Sequence, residues 1–126
     1  MANTGRGFAA WRRKFGPALR GLAVGIRSES SFPVHFFAAV VVLVASGALG
    51  MRVAEWATLL LSITIVMMAE LFNSALERMA RAVSKDHDPH LADALDTSSG
   101  AVLVAAIGAA AVGTLVFLNR LLEVVC

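Results

Sequence analysis

Three apolar runs constrain this chain more than any other feature of its sequence. They cover residues 34–51, 56–72 and 97–118, and nearly all of the charged residues lie outside them. A transmembrane α-helix needs about 20 predominantly apolar residues, within a range of about 17–25. The first two runs lie near the short end of that range, and the third fits it comfortably. No segment alternates as a barrel strand does, so we expect an all-α membrane protein with three membrane-spanning helices.

The composition agrees with this expectation. Hydrophobic residues make up 58% of the 126 residues and charged residues only 16%, whereas about a quarter of a typical soluble domain is charged. The length predicts one integral-membrane domain over residues 1–126. A formal net charge of only +2 gives no indication of nucleic-acid binding, and the single cysteine, Cys126, excludes an internal disulfide.

A basic segment with an apolar periodicity precedes the first run. Within residues 1–30, large apolar side chains recur every three or four positions, which is typical of one face of a helix. They are Trp11, Phe15, Leu19, Leu22 and Ile26. A basic amphipathic helix beside membrane spans most often lies on the cytosolic interface, so we expect a surface helix that breaks or kinks at Pro17. Membrane anchoring alone explains this helix as well as a further role does.

The distribution of lysine and arginine predicts how the chain lies in the membrane. Six basic residues precede the first run, one lies between the first and second, three lie between the second and third, and one follows the third. Cytoplasmic segments of membrane proteins carry the excess of basic residues. We therefore expect the N-terminus and residues 78–96 in the cytosol, and the C-terminus outside.

Local signals predict where the second and third helices end and begin. The second should continue past the lipid boundary to about Val83. The third should begin near Pro89, because Asp88-Pro89 reads as an N-cap followed by proline at the first helical position. Further along the third helix, small residues share a face that allows close helix contact, within one chain or between chains. They are Ala101, Ala105 and Gly108.

Acidic and amide side chains share one face at the end of the second run. Glu70, Asn73 and Glu77 are spaced i, i+3 and i+7, which places them on one side of a helix. A carboxylate costs roughly 2.5–3.5 kcal/mol at a bilayer centre on insertion scales, so acidic residues beside lipid are candidates for function. Glu70 adjoins the apolar run directly. Glu77 has a simpler interpretation as an i, i+4 ion pair with Arg81, and we favour that pairing for Arg81.

Two more acidic residues are expected at the same membrane face. Glu29 precedes the first run and Asp96 precedes the third. Four carboxylates at one depth repel each other, and a divalent cation would relieve the repulsion. Mg²⁺ is typically held by one or two carboxylates together with substrate phosphates. The residues thus favour a metal–nucleotide site, although the sequence has neither a Walker loop nor a protein-kinase catalytic loop.

The segment AELFNSALER, residues 69–78, resembles the signature of the bacterial integral-membrane diacylglycerol kinase and undecaprenol kinase family. That signature is a glutamate, two residues, Asn-Ser or Asn-Thr, an alanine, one residue and a second glutamate. SESSFPVHFF and ALDTSSGAVLVAAIG are similar to the family's entries into its first and third spans, with Glu29 and Asp96 at the acidic positions. The resemblance covers about residues 8–118.

This resemblance implies a fold, an activity and roles for the acidic residues. The fold is a surface helix plus three transmembrane helices, in a homotrimer of the bacterial inner membrane. The activity is transfer of the ATP γ-phosphate to the hydroxyl of a lipid alcohol, diacylglycerol or undecaprenol. Glu70 would be the general base, and Glu29 and Glu77 would hold Mg²⁺ on the phosphates. Asn73 and Asp96 would position nucleotide and substrate.

One departure from the family bears on the chemistry. Leu95 stands where the family usually has a lysine that would assist the phosphates, so Lys85, Arg81 or an N-terminal arginine would have to replace it. Two other classes of protein stay open from the residues alone. A small holin-like or pore-forming protein, or a membrane-anchored adaptor, would also have three spans and a basic end. Neither explains why the carboxylates collect at one face.

Overall fold

The computed structural model is all-helical in the residues that it describes, which are 4–28, 31–83 and 86–126. The four helices are α1 (Thr4–Ser28), α2 (Phe32–Leu49), α3 (Val53–Val83) and α4 (Pro89–Val125). The last three are long and apolar enough to cross a membrane. The predicted all-α class and the three candidate membrane helices are therefore confirmed.

The ends of α2 and α4 follow from their local sequences. α4 begins at Pro89, and the Asp88 carboxylate accepts hydrogen bonds from the backbone N–H groups of His90 at 2.8 Å and Leu91 at 3.4 Å. The predicted N-cap and helix start are thus confirmed. α2 ends at Gly50, whose φ of 64° lies in the left-handed region that glycine adopts without strain.

α3 lies at the centre of the chain, because α1, α2 and α4 each pack against it. Its buried side chains recur along one side of the helix. They are Leu59, Val66, Glu70, Asn73 and Ser74. The apolar members lie in the middle of the membrane-length segment and the polar members follow toward its C-terminal end. The helix packing therefore draws the candidate site residues of α3 into the interior.

α1 approaches α3 closely at one glycine. Gly25 is buried, and a Cβ built on it would lie only 2.6 Å from the Leu71 side chain, so α1 could not lie so close with a larger residue there. Of the two predicted effects of Pro17, a break is excluded, since α1 continues through it. Proline removes one backbone hydrogen bond. The carbonyl that loses it belongs to Arg13, an exposed residue, so water can replace the missing donor.

The predicted small-residue face of α4 makes little contact within this chain. Ala101 and Gly108 are exposed, and a Cβ built on Gly108 would meet nothing within 4 Å. The small residues of α4 that approach α2 and α3 lie on a neighbouring face and include Ala109 and Gly113. The sequence predicts that the face of Ala101 and Gly108 contacts another helix, either within one chain or between chains. For Gly108, contact within the chain is therefore excluded.

Arg120 ties the end of α4 to the turn between α2 and α3. Its Nε donates to the Leu49 carbonyl at 3.1 Å and its Nη2 to the Gly50 carbonyl at 2.7 Å. Glu123 holds the guanidinium at 3.2 Å and also pairs with Arg52 at 2.9 Å. Carbonyls at a helix C-terminus lack intrahelical partners, so Arg120 supplies donors that the end of α2 needs.

We expect Arg120→Met to lower the free energy of unfolding by about 1–3 kcal/mol, because two α2 carbonyls lose a charged donor. Unfolding by sodium dodecyl sulfate in mixed micelles, followed by circular dichroism, measures the change. Arg20→Met is the matched control, since Arg20 is exposed on α1. Equal stabilities for the two variants would contradict the role given to Arg120.

Candidate active site

Glu70 is the most deeply buried charged side chain that the structure describes, with 2% of its surface exposed. Two donors hold its carboxylate. His35 Nε2 lies 2.7 Å from Oε1, and Ser31 Oγ donates to Oε2 at 3.0 Å. Each carboxylate oxygen thus has one partner from α2. These contacts offset the desolvation that burial of a carboxylate in an apolar segment requires.

Both partners of Glu70 come from the start of α2. Ser31 is the N-cap residue, but its hydroxyl makes no capping bond and donates to Glu70 instead. A serine N-cap bond ordinarily stabilises a helix by about 1 kcal/mol. His35 lies one turn later, on the same side of the helix. The N-terminus of a helix also carries partial positive charge, so the start of α2 is a favourable environment for an anion.

Asn73 links α3 to α4 from the next turn of α3. Its Oδ1 accepts a hydrogen bond from Ser98 Oγ at 2.6 Å, and its Nδ2 donates to Glu77 Oε1 at 3.3 Å. Asn73 and Ser98 are both buried. The amide therefore uses its acceptor to hold α4 and its donor to orient Glu77.

Glu77 lies at the boundary between the interior and solvent. Its side chain is 32% exposed, and its Oε2 lies 3.7 Å from Arg81 Nη2, which confirms the predicted ion pair. Exposed pairs of this kind contribute about 0–1 kcal/mol. The carboxylate is therefore held in place by Asn73 and Arg81 but remains accessible from outside.

A polar pocket opens beside Glu77, between the end of α3 and the start of α4. It has a volume of about 470 Å³, and its lining includes Arg81, His87, Asp88 and Leu95. Leu95, where the resemblance implies a lysine, thus lines a pocket that Arg81 also lines. Among the described residues that line this pocket, Arg81 is the one arginine or lysine.

A second, apolar groove of about 220 Å³ leads along α2, α3 and α4 toward Glu70. Its walls are aliphatic over most of their length and include Val42, Leu59, Val66 and Ala109. His35 lines the groove and also contacts Glu70. His35 therefore lies between the groove and the buried carboxylate, which does not itself line the groove.

The other predicted site residues are not brought to Glu70 in the described part of the chain. Glu29 and Lys85 lie outside the described residues. Asp96 is exposed on α4, whereas the α4 residues that contact Asn73 are Ser98 and Ser99. The described residues also contain no group of three His, Cys, Asp or Glu side chains that could hold a metal ion.

Sequence reasoning missed four of the side chains that build the site. Glu70 is contacted by Ser31 and His35, and Asn73 by Ser98 and Ser99 on α4. The available signal was weak: Ser31 and His35 are polar residues one turn apart at the start of an apolar run. Their spacing indicated a shared face but gave no partner on another helix.

Comparison with known proteins places the chain in a family. The sequence model of the prokaryotic diacylglycerol kinases matches residues 16–117. The chain belongs to the prokaryotic diacylglycerol kinase family. A Bacillus subtilis (strain 168) protein named undecaprenol kinase is 32% identical over 109 residues, which are 86% of this chain and 89% of that protein. A Synechocystis protein named diacylglycerol kinase is 34% identical over 107 residues, 84% of this chain and 61% of that longer protein.

Membership in this family settles the class of activity. The chain is a membrane protein and a lipid kinase, and kinases of this family use ATP with a divalent cation. The lipid-kinase prediction is confirmed and replaces the pore-forming and adaptor alternatives. The matched residues include all of α2 and α3 and most of α4, which together carry the contacts of Glu70, Asn73 and Glu77.

We expect Asn73→Ala to destabilise the protein by about 0.5–1.5 kcal/mol, because it removes the buried hydrogen bond between α3 and α4 while the Ser98 hydroxyl keeps the Leu95 carbonyl as an acceptor. Asn119→Ala is the matched control, since Asn119 is an exposed asparagine on α4. Unfolding in mixed micelles compares the two variants. The α3–α4 link is refuted if both substitutions change the unfolding free energy equally.

Proposed function

We propose that this lipid kinase uses Glu70 as the general base that takes the proton of the lipid hydroxyl. The observation that carries the proposal is a buried carboxylate joined through His35 to the end of an apolar groove. A carboxylate has about four lone-pair positions, and His35 and Ser31 use two of them. The remaining positions can accept a hydroxyl that arrives from the groove while its hydrocarbon tail stays in apolar surroundings.

The proposed reaction is a direct transfer of the γ-phosphoryl group. The lipid hydroxyl gives its proton to Glu70 as its oxygen forms a bond to the γ-phosphorus. The bond from that phosphorus to the bridging oxygen breaks, and its electron pair leaves with ADP. Such transfers depend mainly on positioning and on compensation of charge. A base must lie within hydrogen-bond reach of the attacking hydroxyl, and the groove would bring the hydroxyl there.

Glu77 and Glu29 are the residues that we propose for the Mg²⁺ that accompanies ATP. Glu77 fits this role because it offers an accessible carboxylate at the edge of the polar pocket, in an orientation that Asn73 fixes. Mg²⁺ commonly takes one or two protein carboxylates and completes its shell with phosphates and water. When bound, the ion would compensate the charge that develops on the phosphates.

We propose that the nucleotide occupies the polar pocket, with its γ-phosphate toward Glu77 and its charge partly compensated by Arg81. Asn73 would then position the nucleotide through Glu77. Asp96, which is exposed on α4, would contribute to nucleotide or substrate binding. The exposed small residues of α4, among them Ala101 and Gly108, support the homotrimer that the resemblance implies.

The orientation that we propose places the N-terminus and the polar pocket in the cytosol of a bacterial inner membrane, where ATP is available. α1 would then lie on the membrane surface. Its large apolar side chains, among them Trp11, Phe15 and Leu19, are exposed in the single chain and could enter the lipid headgroup region. Arg12, Arg13 and the other basic residues of α1 would face the anionic headgroups.

We expect both undecaprenol and diacylglycerol to be phosphorylated, with a modest preference for undecaprenol. The groove is lined almost entirely by apolar side chains, and differences between apolar chains contribute only about 1–3 kcal/mol even in a shaped pocket. The assay supplies both alcohols at equal mole fraction in mixed micelles with ATP and Mg²⁺. Consumption of diacylglycerol alone would refute the preference, and transfer to neither lipid would refute the proposed function.

Glu70→Gln should reduce kcat by at least about 100-fold, because general-base catalysis typically contributes about 10²–10⁴ in rate. The amide keeps the shape of the side chain and can still accept from His35. Membrane insertion and assembly of the variant, measured by size-exclusion chromatography in detergent, should match those of the parent protein. A correctly assembled variant with most of its turnover would show that Glu70 is not the base.

Glu77→Gln should raise the Mg²⁺ concentration needed for half-maximal activity by about tenfold or more, since a carboxylate ligand is replaced by a neutral amide. A titration of activity with Mg²⁺ at fixed ATP measures the shift. Glu123→Gln is a control, because Glu123 lies with Arg120 and Arg52 at the far end of α4. An unchanged titration for Glu77→Gln would remove this residue from the metal site.

A further inference from the structure

The contact between His35 and Glu70 is a short one between a buried carboxylate and an imidazole, and nothing in the proposed reaction requires it. His35 Nε2 lies 2.7 Å from Glu70 Oε1, and the His35 side chain is 24% exposed. The contact joins α2 to α3 across 35 positions of sequence. A histidine that served only as a polar residue at the membrane surface would not need a contact with a buried carboxylate.

We propose that His35 is a positioning residue for Glu70. It holds one carboxylate oxygen so that the base keeps a single orientation at the polar end of the apolar groove, where the lipid hydroxyl arrives. This inference rests on the proposed role of Glu70 as the general base. It adds a histidine at the start of α2 to a reaction that the family resemblance assigned to four acidic residues and Asn73.

The geometry gives His35 this role for two reasons. First, glutamate has three rotatable side-chain bonds, and among the described residues only His35 and Ser31 contact the Glu70 carboxylate directly. Hydrogen bonds to a charged group are roughly twice as strong as neutral ones, so these donors decide where the carboxylate lies. Second, a displacement of about 1 Å from the reactive geometry can lower a rate by about 100-fold.

His35 is distinguished from Ser31 by its second contact. It lines the apolar groove together with Ala38, Ala39 and Val42, which follow it along one face of α2. Ser31 does not line this groove. The same imidazole thus touches the proposed base and the space through which the lipid would approach. Loss of the His35 side chain should therefore affect turnover but leave the polar pocket beside Glu77 intact.

Two variants at this position separate positioning from bulk. His35→Gln keeps a polar N–H of similar reach, whereas His35→Leu keeps the volume and removes the donor. We expect His35→Leu to lower kcat by about 10- to 100-fold, the loss expected for one hydrogen bond to a charged group. The KM for ATP should change by less than about threefold, because the polar pocket is intact. His35→Gln should recover at least about a third of the parent kcat.

The matched control is His90→Leu, which makes the same substitution at an exposed histidine in the first turn of α4. It should leave kcat unchanged. A double variant, His35→Leu with Glu70→Gln, should be no slower than Glu70→Gln alone, since the histidine has no further effect once the base is gone. Parent-like kcat in His35→Leu, beside an inactive Glu70→Gln variant, would overturn the positioning role and leave the role of Glu70 intact.

A chemical readout tests the contact without any turnover. A hydrophobic carbodiimide labels carboxyl groups in membrane segments, and Glu70→Gln identifies the label on Glu70. Because both oxygens are held and buried, labelling should be slow in the parent protein and in His35→Gln, and at least about fivefold faster in His35→Leu. Equal labelling rates would overturn the inference. If Glu70→Gln kept full activity, the proposed base would be wrong, and the labelling would still decide whether His35 holds this carboxylate.

Discussion

The burial of one carboxylate against the first turn of α2 is the interaction on which the rest of the structure depends. Glu70 lies in the interior, where an unpaired charge would be strongly destabilising. His35 and Ser31 supply its donors, and Ser31 gives up its usual capping bond to do so. The need of Glu70 for these two donors fixes how α2 is rotated toward α3. The groove between the two helices therefore runs toward the carboxylate.

Polar contacts have the same function at the other points where the helices meet. Asn73 and Ser98 join α3 to α4, and Arg120 joins the end of α4 to the end of α2. In a bilayer, apolar side chains gain little by leaving lipid for a neighbouring helix. Hydrogen bonds and close contacts at small residues therefore contribute a larger share of the helix–helix stabilisation than they do in a soluble protein. The middle of the bundle, where such contacts are few, is where the apolar groove lies.

The sequence predicted those features that depend on local patterns. Apolar runs identified the three membrane-length helices, Asp88 and Pro89 marked the start of α4, and the i, i+4 spacing predicted the pair of Glu77 with Arg81. The family signature around Glu70 led to the lipid-kinase activity. Each of these signals lies within one helix or one turn, so no knowledge of neighbouring helices was needed.

Features that depend on how helices are rotated toward each other could not be predicted in this way. The position of Asp96 before the third run predicted its depth in the membrane but not its direction around α4, where it is exposed. The partners of Glu70 and Asn73 are serines and a histidine, residues common enough to give no signal on their own. The close approach at Gly25 likewise depends on Leu71, which lies 46 positions later.

The contact between His35 and Glu70 is the most direct test, because it places the proposed base, orients α2 and lies at the end of the groove. Solid-state NMR of the protein in lipid bilayers can measure the dipolar coupling between a labelled His35 ring nitrogen and the labelled carboxyl carbon of Glu70. We expect the strong coupling of directly hydrogen-bonded groups, consistent with an Nε2–Oε1 distance of 2.7 Å. A coupling too weak to detect, in protein that phosphorylates lipid, would contradict this expectation.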